Sequence, residues 1–278
     1  MDNWWDEPND ENEDDMGGLD LSDIEHSSDD ETINQDFRKL EHMNLDDILK
    51  IRENRQPNKF DLYRLNCLIV GKTGSGKTTT LLKILLNDAI DDYKLLMFII
   101  PRESMESGFY KSLSRMTEDK LRKSICFIII GEDDLPTVEE INQISASMKG
   151  PIALVLDDFI NAFKKTDWLL FKRYVTQLSR VEYGCSLFAL TQNLLEFPTP
   201  YRKNFNCFCL FVNSLTLLQF KEIIKSYYDY GNFNKYQLEE LFNLFKKSSH
   251  TPLFLINNGE PEKSMLYGSQ YINPDTLF

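Results

Sequence analysis

The chain has 278 residues, 42% of them hydrophobic, with a formal net charge of −13, which is length enough for one α/β domain with a full core and further segments. Its acidity is uneven: residues 1–36 hold 15 Asp and Glu and no Lys or Arg, so the remainder sums to about +2 and a polyanionic partner is not excluded. The five cysteines are odd in number and form no C-x-x-C, which speaks against a disulfide framework or zinc site and for buried free thiols in a reducing compartment. No apolar run nears the ~20 residues of a membrane span, and the acidic N-terminus does not read as a secretory leader.

Met1–Asp36 is polar and acidic, and its composition predicts disorder in isolation. Trp4, Trp5, Leu19, Leu21 and Ile24 punctuate it. They read as an acidic-aromatic docking segment, as incidental apolar residues in a solvating tail, or as a segment laid over a basic surface in competition with DNA. Residues 37–64 form a basic connector. Within it LDDILKIRENR has helical spacing of Leu45, Ile48, Leu49 and Ile51, with Asp46 and Asp47 early and Arg52 and Arg55 late, as the helix dipole favours. An adaptor helix entering the core, a solvated helix face and a DNA contact all fit this pattern.

From Leu65 to the C-terminus (65–278) the pattern is that of one α/β unit. The apolar run LNCLIV leads directly into GKTGSGKT and then a helix-forming run. Gly71, Gly76, Lys77 and Thr78 match G-x-x-x-x-G-K-[ST] at every fixed position. Gly71, Gly74 and Gly76 lack a Cβ, so the backbone of Gly71, Lys72, Thr73, Gly74, Ser75 and Gly76 can turn its N–H groups around a polyphosphate. The helix start adds its positive dipole end, Lys77 a point charge, and the Thr78 hydroxyl a ligand for Mg2+. The loop reads as a nucleotide-binding element.

Strands are predicted near Leu65–Val70, Lys94–Ile100, Ser124–Ile130, Ile152–Leu156, Ser186–Leu190 and Cys207–Val212. Helices are predicted near Lys77–Ile90, Ser104–Met116, Val138–Met148 and Asp167–Arg180. Strand runs such as LLMFII and IALVL are apolar throughout, the mark of a parallel sheet covered on both faces. Two amphipathic helices follow Asn213, then two strands, PLFLINN and the residues around Met265–Tyr267, joined as a hairpin through Gly259–Pro261. The predicted fold is a three-layer α/β sandwich with a mostly parallel sheet, a P-loop NTPase of the ASCE, RecA-like kind, with a small C-terminal helix–hairpin extension.

The strand IALVLDD ends in two carboxylates, about 80 residues after the phosphate loop. Asp157 is the expected Mg2+ ligand, directly or through water, and Asp158 the carboxylate that polarises the attacking water. SLFALTQN ends in Thr191, Gln192 and Asn193 at the strand edge where such sheets bind ligands. Gln192 is the candidate for sensing the γ-phosphate or orienting water, or else caps a turn. Two carboxylates and a strand-borne amide favour ATP hydrolysis over nucleotide kinase chemistry. A motor also needs a transition-state cation, commonly an arginine from a neighbouring subunit. Arg180, ending a helix, and Arg202, in FPTPYRKNFN, are the two candidates.

Taken together, GKTGSGKT, IALVLDD, SLFALTQN and FPTPYRKNFNCFCLFV resemble the poxvirus-type genome-packaging ATPases of nucleo-cytoplasmic large DNA viruses, virophages and adintovirus-like elements, within the FtsK/HerA superfamily. The resemblance covers roughly Leu65–Asn257. It implies a homo-oligomeric ring, pentamer or hexamer, that hydrolyses ATP to drive double-stranded DNA into a preformed capsid. It assigns phosphate and metal binding to Lys77 and Thr78, metal support to Asp157, water activation to Asp158, nucleotide sensing to Gln192, and the trans-acting cation to Arg180 or Arg202. The acidic tail lies outside the resemblance and is a candidate contact to capsid or portal protein; the site of action implied is a virus factory in the cytoplasm or nucleus of an infected host cell, or the virion. Other ASCE-type DNA-dependent ATPases, among them helicases and replication or transposition accessory proteins, share the generic motifs, as does a switch that binds ATP without turning it over.

Overall fold

The apolar runs become the strands of one nine-stranded sheet: β1 (Asn66–Val70), β2 (Leu95–Ile100), β3 (Ser124–Ile129), β4 (Ile152–Leu156), β5 (Cys185–Thr191), β6 (Cys207–Leu210), β7 (Leu253–Ile256), β8 (Met265–Tyr267) and β9 (Gln270–Tyr271). The helices are α1 (Lys77–Leu86), α2 (Arg102–Met105), α3 (Gly108–Ser114), α4 (Val138–Met148), α5 (Lys165–Gln177), α6 (Thr199–Arg202), α7 (Leu217–Tyr227) and α8 (Lys235–Lys246). The computed structural model describes residues 64–86, 93–115, 124–194, 197, 199–227, 234–247, 250–256, 265–267 and 270–271. The tail expected over 1–36, the connector up to residue 63 and the turn expected over 259–261 lie outside them.

The strand order is β3-β2-β4-β5-β1-β6-β7-β8-β9. The first six strands run parallel, and β7, β8 and β9 are added antiparallel to β6 and to one another. The expected hairpin is therefore the β7–β8 pair, and β9 extends it by one short strand that sequence patterning did not indicate. β5 lies between β1 and β4, with Val70 opposite Thr191 and Leu156 opposite Ala189. That order places the end of the phosphate-loop strand and the start of Asp157–Asp158 one strand apart, with Gln192 between them.

Alternation along each strand sends neighbouring residues to opposite faces, and both faces are covered. Leu68, Val70, Leu154, Leu156, Leu187 and Ala189 pack with residues of α4, α5, α7 and α8, among them Ile141, Phe171, Ile223 and Leu241. Cys67, Ile69, Ala153, Val155, Phe188 and Leu190 pack with Leu81, Leu82 and Leu85 of α1 and Tyr110 and Leu113 of α3. This two-sided burial is why the strands carry no polar alternation. The thiols of Cys67, Cys185, Cys207 and Cys209 are buried, that of Cys126 is half-buried, and all five are free. Among the described residues no helix is long and apolar enough to cross a membrane.

One predicted helix is divided. The run expected near Ser104–Met116 is two short helices separated at Glu106 and Ser107. Ser107 is extended and its hydroxyl accepts from the Tyr110 amide at 3.3 Å, starting α3; serine at an N-cap competes well with continuation of the helix before it. The helix expected near Asp167–Arg180 starts at Lys165 and tightens into a 3-10 turn over Leu178–Arg180. Its apolar face buries Phe171 and Tyr174, and Phe171 meets Phe159, Phe163 and Phe197 in an aromatic cluster beneath the turn after β4.

Candidate nucleotide site

The loop between β1 and α1 begins tightly. Gly71 donates its amide to Thr191 O of β5 at 3.1 Å. A Cβ on Gly71 would lie 2.4 Å from Ser75 Oγ and 2.9 Å from the Phe211 ring, so only glycine fits. Gly74 and Gly76 take φ of 75° and 101°, the left-handed region open to glycine at little cost. Within the loop Ser75 N donates to Lys72 O at 3.2 Å, while the amides of Thr73, Gly74, Gly76, Lys77 and Thr78 donate to no carbonyl among the described residues. Ser75 Oγ is buried and without a hydrogen-bond partner. Amides at the start of an α-helix, in a loop of this shape, are the donors that hold an oxyanion.

Lys77 folds back over the same loop. Its Nζ donates to Gly71 O at 2.7 Å and Lys72 O at 3.1 Å. Partial burial pulls its pKa below the ordinary lysine value, and Asp157 and Asp158 act in the opposite direction. The cation and the two carboxylates thus belong to one electrostatic cluster.

Alternation along β4 turns Asp157 toward the face covered by α1 and α3. There it is 6% exposed and accepts a hydrogen bond from Tyr110 Oη at 2.6 Å. Burial pushes its carboxyl up to about 6, and Asp158 adds to the rise; the Tyr110 hydroxyl and Lys77 oppose it. Asp158 is exposed, at φ 52°. That left-handed backbone is unusual for a residue with a side chain and turns the chain sharply after the strand. Its Oδ2 accepts from Ser104 Oγ at 3.4 Å and its Oδ1 from Gln192 Nε2 at 3.4 Å.

Gln192, just past β5, reaches both sides. While its amide nitrogen donates to Asp158, its Oε1 accepts from Thr73 Oγ1 of the phosphate loop at 3.1 Å. The next residue couples outward: Asn193 Oδ1 accepts from Gln219 Nε2 at 3.1 Å, and Gln219 also closes the start of α7 against Thr216. The chemistry-bearing ends of β1, β4 and β5 therefore meet around Gln192.

The two arginines are not brought to this rim. Arg202 is 4% exposed and bonds through Nη1 to Glu222 of α7 at 3.0 Å, in its own chain. In this placement Arg202 is paired within its own chain rather than presented at the surface, where the expected contact with a neighbouring subunit would need it. Arg180 is exposed in the 3-10 turn that precedes β5, at the sheet edge opposite the phosphate loop. Tyr110 and Ser104, which touch the two carboxylates, were missed by sequence reading. Their only signal was a short polar segment after β2, since Tyr110 is 47 residues from Asp157 along the chain.

No protein-family model matches the sequence, and no curated protein matches it. Among solved structures, the DNA-packaging ATPase B204 of Sulfolobus turreted icosahedral virus is similar with a TM-score of 0.51 at 14% identity, over 76% of this chain and 98% of that one. The genome packaging NTPase B204 of Sulfolobus turreted icosahedral virus 2, in complex with AMP, is similar with a TM-score of 0.50 at 15% identity, over 77% of this chain and 100% of that one. The likeness is one of fold: a mostly parallel α/β sheet with helices on both faces, that of a P-loop NTPase.

Proposed function

We propose that the chain is an ATPase that drives double-stranded DNA into a viral capsid, working as a homo-oligomeric ring of the FtsK/HerA kind. The observation that carries the reading is the side chain of Gln192, which joins Thr73 of the phosphate loop to Asp158 at the end of β4. A strand-borne amide in contact with both elements is placed to report on whatever lies between them. The fold shared with two packaging NTPases points the same way.

The residues fit a triphosphate and a divalent cation. Gly71 lets the loop close against Ser75 and Phe211 where a Cβ would collide, the loop amides and Ser75 Oγ are unspent donors, and Lys77 is held over two carbonyls from which it can transfer to phosphate oxygens. Thr78 and Asp157 would hold Mg2+, whose charge neutralises phosphate oxygens when it is bound. Asp158, exposed beside Gln192, accepts the proton of the attacking water, and Gln192 orients that water. Of the two arginines, Arg180 is the one whose exposure allows a contact with another subunit; sequence-independent transport of DNA would rest on phosphate contacts from surface cations.

The test is ATP hydrolysis by the full chain with linear duplex, supercoiled, single-stranded and no DNA, run beside the mass of the assembly. Stimulation by linear duplex and a ring mass are expected. Preference for single strands or forks would replace the packaging reading with a helicase or accessory ATPase.

A further inference from the structure

Among the described residues, Tyr110 is the buried tyrosine whose hydroxyl meets a carboxylate of the site. The residue is 3% exposed, and its Oη lies 2.6 Å from Asp157 Oδ2. Its ring is fixed on three sides: edge-on to Phe98 of β2 at 5.8 Å, to Phe127 of β3 at 6.3 Å and to Phe109 of its own helix at 4.7 Å. The Ser107 cap sets where α3 starts and hence where the hydroxyl lies. Phenylalanine would satisfy every one of these ring contacts, so packing does not explain the oxygen; Asp157 does. A buried carboxylate held by a rigid phenol has one orientation, whereas a free one rotates about its terminal torsion.

Building on the nucleotide-site reading, we infer that Tyr110 is a positioning residue, whose hydroxyl fixes the plane of the Asp157 carboxylate for a divalent cation bound with the nucleotide. Groups that orient a metal-binding carboxylate from behind typically change metal affinity 10–100-fold when removed. The same polar segment supplies Ser104 to Asp158, so the chain between β2 and β3 backs both acids.

The experiment is Tyr110→Phe in the full chain, which removes one oxygen and keeps the ring. Mn2+ binding to the protein–ATPγS complex is followed by the electron paramagnetic resonance of free Mn2+, alone and in an Asp157→Asn background. Mn2+ binding is expected to weaken about tenfold in Tyr110→Phe, and to change no further when Tyr110→Phe is added to Asp157→Asn. Nucleotide affinity in EDTA is expected to stay within about twofold, because the loop is untouched. Unchanged Mn2+ affinity, or equal weakening in the Asp157→Asn background, overturns the inference. So does a lowered thermal midpoint with Mn2+ affinity intact, which makes Tyr110 a packing residue. Lys77→Ala separates the two levels: if it keeps full ATPγS affinity, the nucleotide-site reading itself has failed; if it loses affinity while Tyr110→Phe changes nothing, only the role of Tyr110 has.

Discussion

Asp157 carries a charge in a place that disfavours it. Burial raises its carboxyl from 3.8 to about 6, so the folded chain favours the protonated form. Its contribution to stability is then full below pH about 3.8 and lost as the pH rises through about 6. At pH 8 the ligand-free protein bears this cost, on the order of 1–3 kcal/mol. Asp157→Asn is expected to raise the thermal midpoint of the ligand-free protein at pH 8, to do little at pH 4, and to abolish Mg2+-dependent hydrolysis. A lower midpoint at pH 8 would show the carboxylate to be a net stabiliser. Gln192 is a second test at this scale. Gln192→Ala removes the bridge between Thr73 and Asp158. It is expected to lower kcat roughly 10–100-fold while ATPγS affinity changes less than about threefold; a parallel loss of affinity would make Gln192 a binding residue instead.

The elements were legible where their burial is simple. β4 is apolar throughout, and β1 and β5 are nearly so apart from buried Asn66, Ser186 and Thr191, because both faces are covered, and the loop glycines are dictated by backbone conformation and by the closeness of Phe211. What could not be read were contacts between elements distant in sequence. The break at Glu106–Ser107 competes with an otherwise helical pattern, and its consequence, Tyr110 on Asp157, depends on β2 lying beside β4. Arg202 reads as a surface cation until α7 is packed beside it. Arg202→Ala is expected to destabilise the fold by about 1–3 kcal/mol, measured by denaturant unfolding, because it removes the pair with Glu222 along with buried side-chain stem. If stability is unchanged while DNA-stimulated turnover vanishes, Arg202 serves another subunit after all. Phe171, at the centre of the aromatic cluster below the β4 turn, is expected to cost about 3–5 kcal/mol on truncation to alanine.

At the scale of the molecule, one topological fact organises the rest: β5 separates β1 from β4, so phosphate loop, acidic pair and Gln192 share one rim of a parallel sheet. From that rim Asn193 and Gln219 lead to α7, and Lys221 joins α7 to Glu239 of α8. The rim is therefore tied by hydrogen bonds to the C-terminal helices. The most direct test of the account is phosphate release from ATP in excess Mg2+ by the wild-type chain and by Asp158→Asn, at matched ATPγS occupancy. The account predicts steady release from the wild type, rising with linear duplex DNA, and a fall of roughly 10²-fold or more in the variant. Equal release from both, with nucleotide bound to both, would contradict it.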